Sequence, residues 1–395
     1  MWRTGAVILV NIIAFLTLTG FIVSEDDGYI APLYSRSVQL YGKYIVKLTE
    51  ELDVDNSILE IGDILKTKST AGTYKINRVF KHAIKAFTAD LHQEDLDTLR
   101  RNRMVEYVEE DLPVTHFTTV DEITWGLDRI DQRNINLDNK YEVNGNGSNV
   151  NVYVIDTGIL TSHEEFGDRA HVAFDALDGN GADCSGHGTH CAGIIGGKKY
   201  GVAKGVNLFG IRTMDCSGTG TSSEVIEAFE WIRQHGELPA IASISLGTDD
   251  GEIVLSLDRA VEKVIDMGVT VVAAAGNSAT DACRTSPARG EKVITVGATG
   301  EGDLLASFSN IGPCVDILAP GVNIISTWFT DEEPVRTLSG TSMACPHVTG
   351  AAAILLGQNP DLTPEQIKRI LLENATTNAI SITNNACTNT FLYVP

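Results

Sequence analysis

From residue 149 onward the chain alternates short apolar runs with longer amphipathic stretches, and this alternation constrains the fold more than any other feature. The apolar runs have the length and composition of buried strands, and the stretches between them repeat apolar residues at helical spacing. Strands that alternate with helices build a mainly parallel sheet that is covered by helices on both faces. The predicted strands span residues 150–155, 207–212, 240–246 and 269–275, and the predicted helices span 187–195, 223–235, 253–267, 341–356 and 364–375.

Residues 42–118 form a separate unit with a mixed pattern. Some of its segments alternate apolar and polar side chains, as half-buried strands do, and others repeat apolar residues at helical spacing. The order of these segments predicts a small two-layer α/β sandwich that precedes the larger unit. The predicted strands span residues 42–48, 83–91 and 104–112, and the predicted helices span 54–65 and 92–103.

The first 24 residues have the composition of a secretory signal peptide. Arg3 supplies a positive charge ahead of the uncharged and mainly apolar residues 5–23, and the acidic residues 25–27 follow. Such a segment is removed from the mature protein and implies secretion. The apolar run is longer than usual, so an uncleaved membrane anchor is the alternative, although Asn11 and the Thr and Gly residues after it weaken a spanning helix. No later segment is apolar enough to cross a bilayer.

Charge and cysteine content limit the partners and the compartment of the chain. A formal net charge of −22 repels nucleic acids and anionic membranes, so neither is an expected partner. Seven cysteines in a secreted chain predict disulfides, and the odd number leaves at least one thiol unpaired. Spacing alone does not decide the pairing. Asn146 and Asn374 stand in sequons for N-glycosylation.

Three short segments supply an acid, a base and a nucleophile, in the order Asp156, His187, Ser342. Asp156 lies in VIDTG directly after a predicted strand, His187 lies in SGHGTHCAG, and Ser342 lies in GTSMACPH at the start of a predicted helix. A serine hydroxyl attacks a carbonyl when a base takes its proton, and a carboxylate holds that base in the required tautomer. Singly, the three residues could also be a turn former, a loop histidine and a helix N-cap.

These three segments, in this order, resemble the subtilisin-like serine proteases, the subtilases. Their details are similar to the branch that contains proteinase K and aqualysin. GKYIVKL at 42–48 and VEYVEEDL at 105–112 resemble the inhibitor-type prodomain of the same family. The resemblance implies a secreted serine endopeptidase with a subtilisin-like α/β catalytic domain, made as a self-processing zymogen. It makes His187 the base, whereas His190 and His347 are expected to pack or to form structural hydrogen bonds.

The resemblance also implies how the precursor is processed. In the family, the C-terminal tail of the prodomain lies in the substrate cleft and blocks it after self-cleavage. Residues 113–122 are polar, rich in Thr and without periodicity, as expected of a linker that a protease can reach. Cleavage is therefore expected between Phe117 and Glu122. The expected domains are a signal peptide at 1–24, a prodomain at 25–118 and a peptidase domain at 119–395.

Further site residues follow from the resemblance alone. Asn277, in AGNS, corresponds to the side-chain donor of the oxyanion hole, which the backbone N–H of Ser342 completes. The alternative is an asparagine in a left-handed turn after Gly276. An extended substrate adds as a strand between two cleft segments, and small residues in the pocket wall predict a preference for apolar or aromatic side chains. The implied substrate-binding residues are Ser245, Leu246 and Gly247 on one side, Gly218, Thr219 and Gly220 on the other, and Ala275 and Gly276, after Ala273 and Ala274, in the pocket wall.

Cysteines and one aspartate are also assigned through the resemblance. It pairs Cys184 with Cys216 and Cys283 with Cys314, and it makes Cys191 a buried free thiol, while Cys345 and Cys387 have no counterpart and their pairing stays open. No cofactor is expected for catalysis. A structural calcium ion is expected at Asp316, where the carbonyls of Glu291 and Val293 would complete the protein ligands, because calcium prefers hard oxygen ligands. A solvated structural aspartate is the alternative.

The expected protein is thus a monomeric peptidase that acts on proteins or peptides. Its own prodomain is the expected intramolecular inhibitor, and no contact with nucleic acid, or with a membrane once the signal peptide is removed, is expected. Two other functions stay open at this point. One is a catalytically blocked subtilase that keeps its prodomain and serves as a binding or regulatory protein, and the other is a membrane-anchored protease.

Overall fold

The structure of the chain is a computed structural model that describes residues 29–34, 42–68, 74–116, 125–248, 252–330, 333–382 and 387–395, with residues 113–116 described by their backbone. The predicted signal peptide and the expected cleavage region between Phe117 and Glu122 lie outside the described residues. Within these ranges, no helix is both long enough and apolar enough to cross a membrane.

The N-terminal unit is a two-layer sandwich, as predicted. Its elements are β1 (Leu33–Tyr34), β2 (Lys43–Leu48), α1 (Val54–Lys68), β3 (Lys75–Phe80), β4 (Ala86–Asp90), α2 (Gln93–Arg100) and β5 (Val105–Glu110). The strands pair in the order β1-β5-β2-β4-β3, and only β1 and β5 run parallel. Leu65 of α1 and Leu96 of α2 pack with Val46 and Phe87 on one face of the sheet. The opposite face contributes to a core shared with the second unit.

Strand β3 was not predicted, and a β-bulge gives the reason. The register shifts between Ile76 and Arg78, so the alternation of apolar and polar residues changes face within the strand. Val79 is therefore exposed, whereas Phe80 is buried. A bulged edge strand does not show the regular period of two by which strands are recognised in a sequence.

The remaining strands and α-helices begin with β6, the tail of the N-terminal unit, and continue through the second unit. They are β6 (Pro113–His116), α3 (Gly126–Ile130), β7 (Asn151–Asp156), β8 (Ala170–Asp175), α4 (His187–Gly196), β9 (Asn207–Arg212), β10 (Thr219–Thr221), α5 (Ser222–His235), β11 (Ala240–Ile244), β12 (Leu246–Gly247), α6 (Leu255–Asp266), β13 (Thr270–Ala274), β14 (Ile294–Gly300), β15 (Leu304–Leu305), β16 (Ile317–Pro320), β17 (Ile324–Thr327), β18 (Val335–Leu338), α7 (Thr341–Gln358), α8 (Pro364–Asn374), β19 (Thr376–Thr377) and β20 (Thr390–Phe391).

The main sheet of the second unit is parallel and has helices on both faces. Eight neighbouring strands run parallel in the order β8-β9-β7-β11-β13-β14-β16-β20. Val152 and Val154 of β7 pack in the core that holds residues of α4 and α7. Tyr153 and Ile155 of the same strand pack in the core that holds residues of α5 and α6. Successive side chains of a strand point to opposite faces, so the helices cover both faces as predicted.

Strand β7 lies at the point where the strand order reverses. Its neighbours are β9 on one side and β11 on the other, so the chain builds the sheet outward from β7 in both directions. Ligand sites in open parallel sheets lie beyond the carboxyl ends of strands at such a point. Asp156 is the last residue of β7.

The predicted strand 240–246 is two strands in the structure. Strand β11 ends at Ile244 in the main sheet, and β12 begins at Leu246 in a separate three-stranded sheet with β6 and β10. Ser245 lies between the two sheets. Strands β14 (ITVGATG) and β16 (ILAP) were missed because their Gly, Ala and Pro residues weaken the pattern of a buried strand.

Candidate active site

Asp156 and His187 form a buried pair. Asp156 is fully buried and His187 is nearly so, at the first position of α4. The Nδ1 of His187 lies 2.7 Å from Oδ1 and 2.9 Å from Oδ2 of Asp156. The backbone N–H of Thr157 also donates to Oδ1, at 2.8 Å. A carboxylate on Nδ1 leaves Nε2 as the ring nitrogen that can accept a proton.

Asp183 holds the loop that carries His187, and sequence reasoning missed it. Its carboxylate accepts hydrogen bonds from the hydroxyl of Thr157, the amides of Ser185 and Gly186, and both the amide and the hydroxyl of Thr189. Asp183 therefore ties the end of β7 to the start of α4. The sequence offers no periodic signal for this role, since only the fold brings these donors together.

Ser342 lies at the second position of α7 and is fully buried. Its Oγ donates to the carbonyl oxygen of Ser245 at 2.9 Å, and the Oγ of Ser245 donates to the carbonyl of Ser342 at 3.1 Å. The N-cap of α7 is Gly340, so Ser342 is not the helix N-cap that the simpler interpretation required. The serine instead lies against Ser245, which connects the main sheet to the three-stranded sheet of β6, β10 and β12.

Cys191 connects the histidine and serine segments. Its Sγ lies 4.0 Å from Nδ1 of His187 and donates to the carbonyl of Ser342 at 3.4 Å. Cys191 is unpaired and fully buried. Burial raises the pKa of its thiol well above the ordinary value, and the nearby Asp156 carboxylate raises it further. The thiol therefore stays protonated and packs between the two segments, as the resemblance implied.

His190 and His347 have structural partners. Nε2 of His190 lies 2.9 Å from the carbonyl of Arg336 and 3.1 Å from that of Ile324. Nδ1 of His347 lies 2.8 Å from the carbonyl of Met343. Burial lowers the pKa of His190 to about 3 and that of His347 to about 4. Both rings are neutral at physiological pH, and both lie within packed segments.

Asn277 lies beside the start of α7. Its Oδ1 accepts from the amide and from the hydroxyl of Thr341, each at 2.9 Å. The left-handed conformation in this turn belongs to Gly276, with φ of 103°, and not to Asn277. With Oδ1 held by Thr341, the amide nitrogen of Asn277 is the atom that can donate to a neighbouring group. This geometry gives no support to the interpretation of Asn277 as a simple turn former.

The tail of the N-terminal unit lies between the two segments that were expected to bind the substrate. Strand β6 runs antiparallel between β10 and β12. Thr115 faces both Thr219 and Gly247 in the register, and His116 faces Leu246. The resemblance implies that this tail lies in the cleft, although its Thr-rich sequence has no periodicity of its own. In the structure its backbone pairs with a strand on each side.

The residues expected to form the pocket wall lie at the end of β13. Ala273, Ala274 and Ala275 are fully buried, and Gly276 follows them. The carbonyl of Ala275 accepts from the side chain of Asn310 at 2.9 Å. Gly218, the remaining cleft residue, turns the chain into β10 with φ of 77°.

Two carboxylates of the N-terminal unit bind the starts of helices of the second unit. Glu109 accepts from the amides of Leu255 at 3.0 Å and Ser256 at 2.8 Å, at the first turn of α6. Asp111 accepts from the amide of Ser223 at 3.0 Å, at the first turn of α5. Carboxylates stabilise helix N-termini because unpaired N–H groups and the positive end of the helix dipole lie there.

The cysteines separate into two bonded pairs and three free thiols. Disulfides join Cys184 to Cys216 and Cys283 to Cys314. Cys345 and Cys387 are both unpaired, which answers the question left open by the sequence. Cys345 packs away from Ser342, against the main sheet, where its Sγ donates to the carbonyl of Val272 at 3.4 Å. Burial raises the pKa of this thiol to about 11.

Asp316 and its expected carbonyl partners converge on a lysine. The Nζ of Lys368 lies 2.8 Å from Oδ1 of Asp316, and it donates to the carbonyls of Glu291 at 2.9 Å and Val293 at 2.7 Å. The expected calcium ion does not fit the residues present, because the ammonium group takes the space between these three oxygens and carries the same sign of charge. The three oxygens named through the resemblance do lie together, but the cation that they bind in the structure is the ammonium group of Lys368.

Comparisons with known proteins agree with this architecture. Residues 147–390 match the subtilase family, and residues 43–116 match the peptidase inhibitor I9 family. An extracellular serine proteinase of Thermus sp. (strain Rt41A) is 44% identical over 371 residues, which are 90% of this chain and 90% of that protein. A cuticle-degrading protease of Metarhizium anisopliae is 36% identical over 372 residues, 92% of each.

A solved structure shares the fold of the second unit. The crystal structure of a cold-adapted subtilisin-like serine proteinase superposes with a TM-score of 0.66 at 48% identity, and the match covers 70% of this chain and 99% of that one. The chain therefore belongs to the subtilase family, and it is a secreted serine endopeptidase made as a zymogen with an inhibitor-type prodomain.

Proposed function

We propose that Asp156, His187 and Ser342 are the acid, base and nucleophile with which this peptidase cleaves peptide bonds. Ser342 Oγ attacks the carbonyl carbon of the substrate, and its proton passes to Nε2 of His187. The imidazolium returns the proton to the leaving amine, and an ester between substrate and serine remains. Water then attacks this ester in the same way and regenerates Ser342. The buried Asp156 carboxylate on Nδ1 stabilises the imidazolium at each step.

The oxyanion of each tetrahedral intermediate needs donors that are already in place. We assign these donors to the amide nitrogen of Asn277 and the backbone N–H of Ser342. Two observations support the assignment. The hydrogen bonds from Thr341 fix the orientation of Asn277, and Ser342 lies in the first turn of α7, at the positive end of the helix dipole, which favours a negative charge. No cofactor takes part in this chemistry.

Strand β6 supports the proposal that an extended peptide is the substrate, because this segment of the chain itself lies between β10 and β12 as an added strand. Its register pairs Thr115 with Gly247 and His116 with Leu246, and therefore advances toward Ser245, whose carbonyl accepts from Ser342 Oγ. The residue that follows His116 in the sequence is therefore our candidate for the position before the cleaved bond. We propose that the chain is cut within the expected region 117–122, and first between Phe117 and Thr118. This cut sets the boundary of the prodomain one residue before the expected one.

The pocket wall supports a preference for apolar or aromatic side chains before the cleaved bond. Three buried alanines and a glycine leave room there, and the described residues of this wall carry no charge. Phe117 satisfies that preference. A peptide library in which the residue before the cleaved bond is varied tests this proposal, and a preference for charged residues contradicts it.

Ser342→Ala tests the assignment of the nucleophile. The variant is refolded from purified chain, so that no other protease is present, and the products are identified by mass spectrometry. We expect the wild-type chain to yield a mature species that begins at Thr118, and the variant to stay uncut and inactive. Ser381→Ala, at an exposed serine outside the segments assigned to the site, is the matched control and is expected to process normally. Normal self-cleavage of Ser342→Ala refutes the assignment.

Two further expectations remain proposals. They are a monomeric state and glycans at Asn146 and Asn374. No observation among the described residues specifically favours a blocked subtilase that acts as a binding protein. If that function were correct, the refolded wild-type chain would keep its prodomain bound and would show no activity on added peptide substrates.

A further inference from the structure

Three oxygen atoms surround the ammonium group of Lys368. They belong to the carboxylate of Asp316 and to the backbone carbonyls of Glu291 and Val293, and we call them the cation cage. Glu291 and Val293 precede β14, Asp316 precedes β16, and Lys368 lies on α8. The ammonium of Lys368 contacts all three oxygens of the cage, at 2.7 to 2.9 Å. The cage therefore attaches α8 to the starts of two neighbouring parallel strands of the main sheet.

The geometry of the cage fits an ammonium group. An ammonium has three N–H donors, and here it meets one carboxylate oxygen and two carbonyl oxygens. Its contacts have the length of charge-assisted N–H···O bonds, whereas calcium holds oxygen ligands at about 2.3–2.6 Å. The side chains of Lys368 and Asp316 are 20% and 19% exposed, so most of the pair is removed from solvent.

The surroundings hold both partners in place. The second carboxylate oxygen of Asp316 accepts from the amide of Thr295 at 2.9 Å, which fixes the plane of the carboxylate. Helix α8 begins with a capping box between Thr363 and Gln366. Ile367 and Leu371 of the same helix are buried in the core, so the rotation of α8 is set by packing. Lys368 therefore reaches the cage from a fixed helix.

We propose that the side chain of Lys368 permanently replaces a divalent cation at this site, so that this chain needs no calcium there. Bound calcium must be supplied by the medium and is lost to chelators, but a lysine is part of the chain and is present in every folded molecule. The site keeps the three oxygen atoms expected as calcium ligands, and the ammonium group of Lys368 on α8 supplies the positive charge.

Calcium binding to four full-length variants tests the proposal. All carry Ser342→Ala to prevent self-digestion, and the number of bound calcium ions per chain is measured by equilibrium dialysis against CaCl2. We expect Lys368→Ala to bind one more calcium ion than the parent chain, because the three oxygens lose their cation. Adding Asp316→Asn to Lys368→Ala is expected to abolish the gain. Lys292→Ala is the matched control, since Lys292 pairs with the exposed Asp266 and should leave the number unchanged.

Asp316→Asn alone keeps the test decisive even if Lys368→Ala fails to fold. If the proposal is correct, this variant binds as many calcium ions as the parent, because Lys368 already occupies the cage. The loss of one bound calcium ion in Asp316→Asn overturns the proposal. So does a folded Lys368→Ala that gains no calcium ion. As a second readout, millimolar calcium should raise the melting temperature of Lys368→Ala by several degrees more than that of the parent.

Discussion

Gly188 determines how closely the segment that carries His187 approaches the segment that carries Asp156. A Cβ atom at this position would overlap the carbonyl oxygen of Gly158 and lie 3.1 Å from Cβ of Asp156. The next residue in the chain after His187 must therefore have no side chain. A conventional side chain would push α4 away from the end of β7 and lengthen the bond between His187 and Asp156.

We expect Gly188→Ala to lower kcat/KM of the mature enzyme at least tenfold and to lower the melting temperature. Overpacking of a close contact costs about 1–3 kcal/mol, and small misplacements of a base reduce turnover strongly. Peptide hydrolysis and calorimetry measure the two effects. Gly300→Ala is the matched control, because its Cβ would meet nothing nearer than Val322 at 3.5 Å. Unchanged kcat/KM in Gly188→Ala would show that the approach is not tight.

The residues proposed as acid, base and nucleophile were named from the sequence, but the residues that hold them in place could not be. Asp156, His187 and Ser342 lie in short segments with distinctive neighbours, so local sequence identifies them. Asp183 receives its five hydrogen bonds only after the fold brings β7 and α4 together. Lys368 looks like any solvated lysine on a helix, because its oxygen partners lie about 50 and 75 residues away in the chain.

At the scale of secondary structure elements, the prodomain completes two helices of the peptidase domain. Glu109 caps α6 and Asp111 caps α5, and both carboxylates are buried by the docking. Burial raises the pKa of Glu109 to about 7, although its hydrogen bonds with Ser256 and Leu255 oppose the shift. Once the prodomain leaves, the carboxyl group is in water and its pKa returns to about 4.3.

This difference in pKa predicts that the prodomain binds less tightly as pH rises. The raised pKa belongs to the bound state, so the contribution of Glu109 is fully present below about pH 4.3 and is lost as pH rises through about 7. We expect the dissociation constant of the cut prodomain to increase at least tenfold over this range, on the order of 1.4 kcal/mol for each tenfold step. Gel filtration of processed and chemically inactivated enzyme measures the fraction that stays bound.

Glu109→Gln should give a flatter pH dependence of prodomain binding, because it removes this titration. Burial raises the pKa of Asp111 as well, so some dependence is expected to remain. Glu60→Gln, on the exposed side of α1, is the control and should behave as the wild type. If Glu109→Gln and Glu60→Gln show the same pH dependence, Glu109 is not responsible for it.

Elements with a regular period were predicted within a few residues, and elements without one were missed. The predicted helix 223–235 is α5 at Ser222–His235, and the predicted strand 207–212 is β9 without change. The hairpin of β17 and β18 and the edge strand β8 were not predicted. Short strands at the edge of a fold are defined by their neighbours more than by their own sequence, and a single sequence does not show those neighbours.

At the scale of the whole molecule, covalent cross-links are confined to one domain. Both disulfides lie in the peptidase domain, and the described part of the prodomain has none. Cys184 follows Asp183 in the loop before His187, and Cys216 lies in the turn before β10. This bond therefore joins the loop that carries His187 to the turn before β10, the strand that pairs with β6.

We expect the double variant Cys184→Ser/Cys216→Ser to unfold at a clearly lower temperature. A bond that closes a separation of 32 residues contributes about 4 kcal/mol in the chain-entropy description. Activity at low temperature should fall less than stability, because no group that contacts the substrate is removed. Cys387→Ser, at a partly buried free thiol, is the control and should have little effect on thermal inactivation. Equal half-lives of the two variants would contradict the prediction.

The tail strand β6 has a consequence that reaches beyond the single molecule. While tail and cleft belong to one chain, the local concentration of the tail is high and independent of how much protein is present, since a short tether fixes it at the millimolar level. After the chain is cut, occupancy follows mass action between two separate molecules. We therefore expect that diluting the processed enzyme favours dissociation of the prodomain and raises peptidase activity.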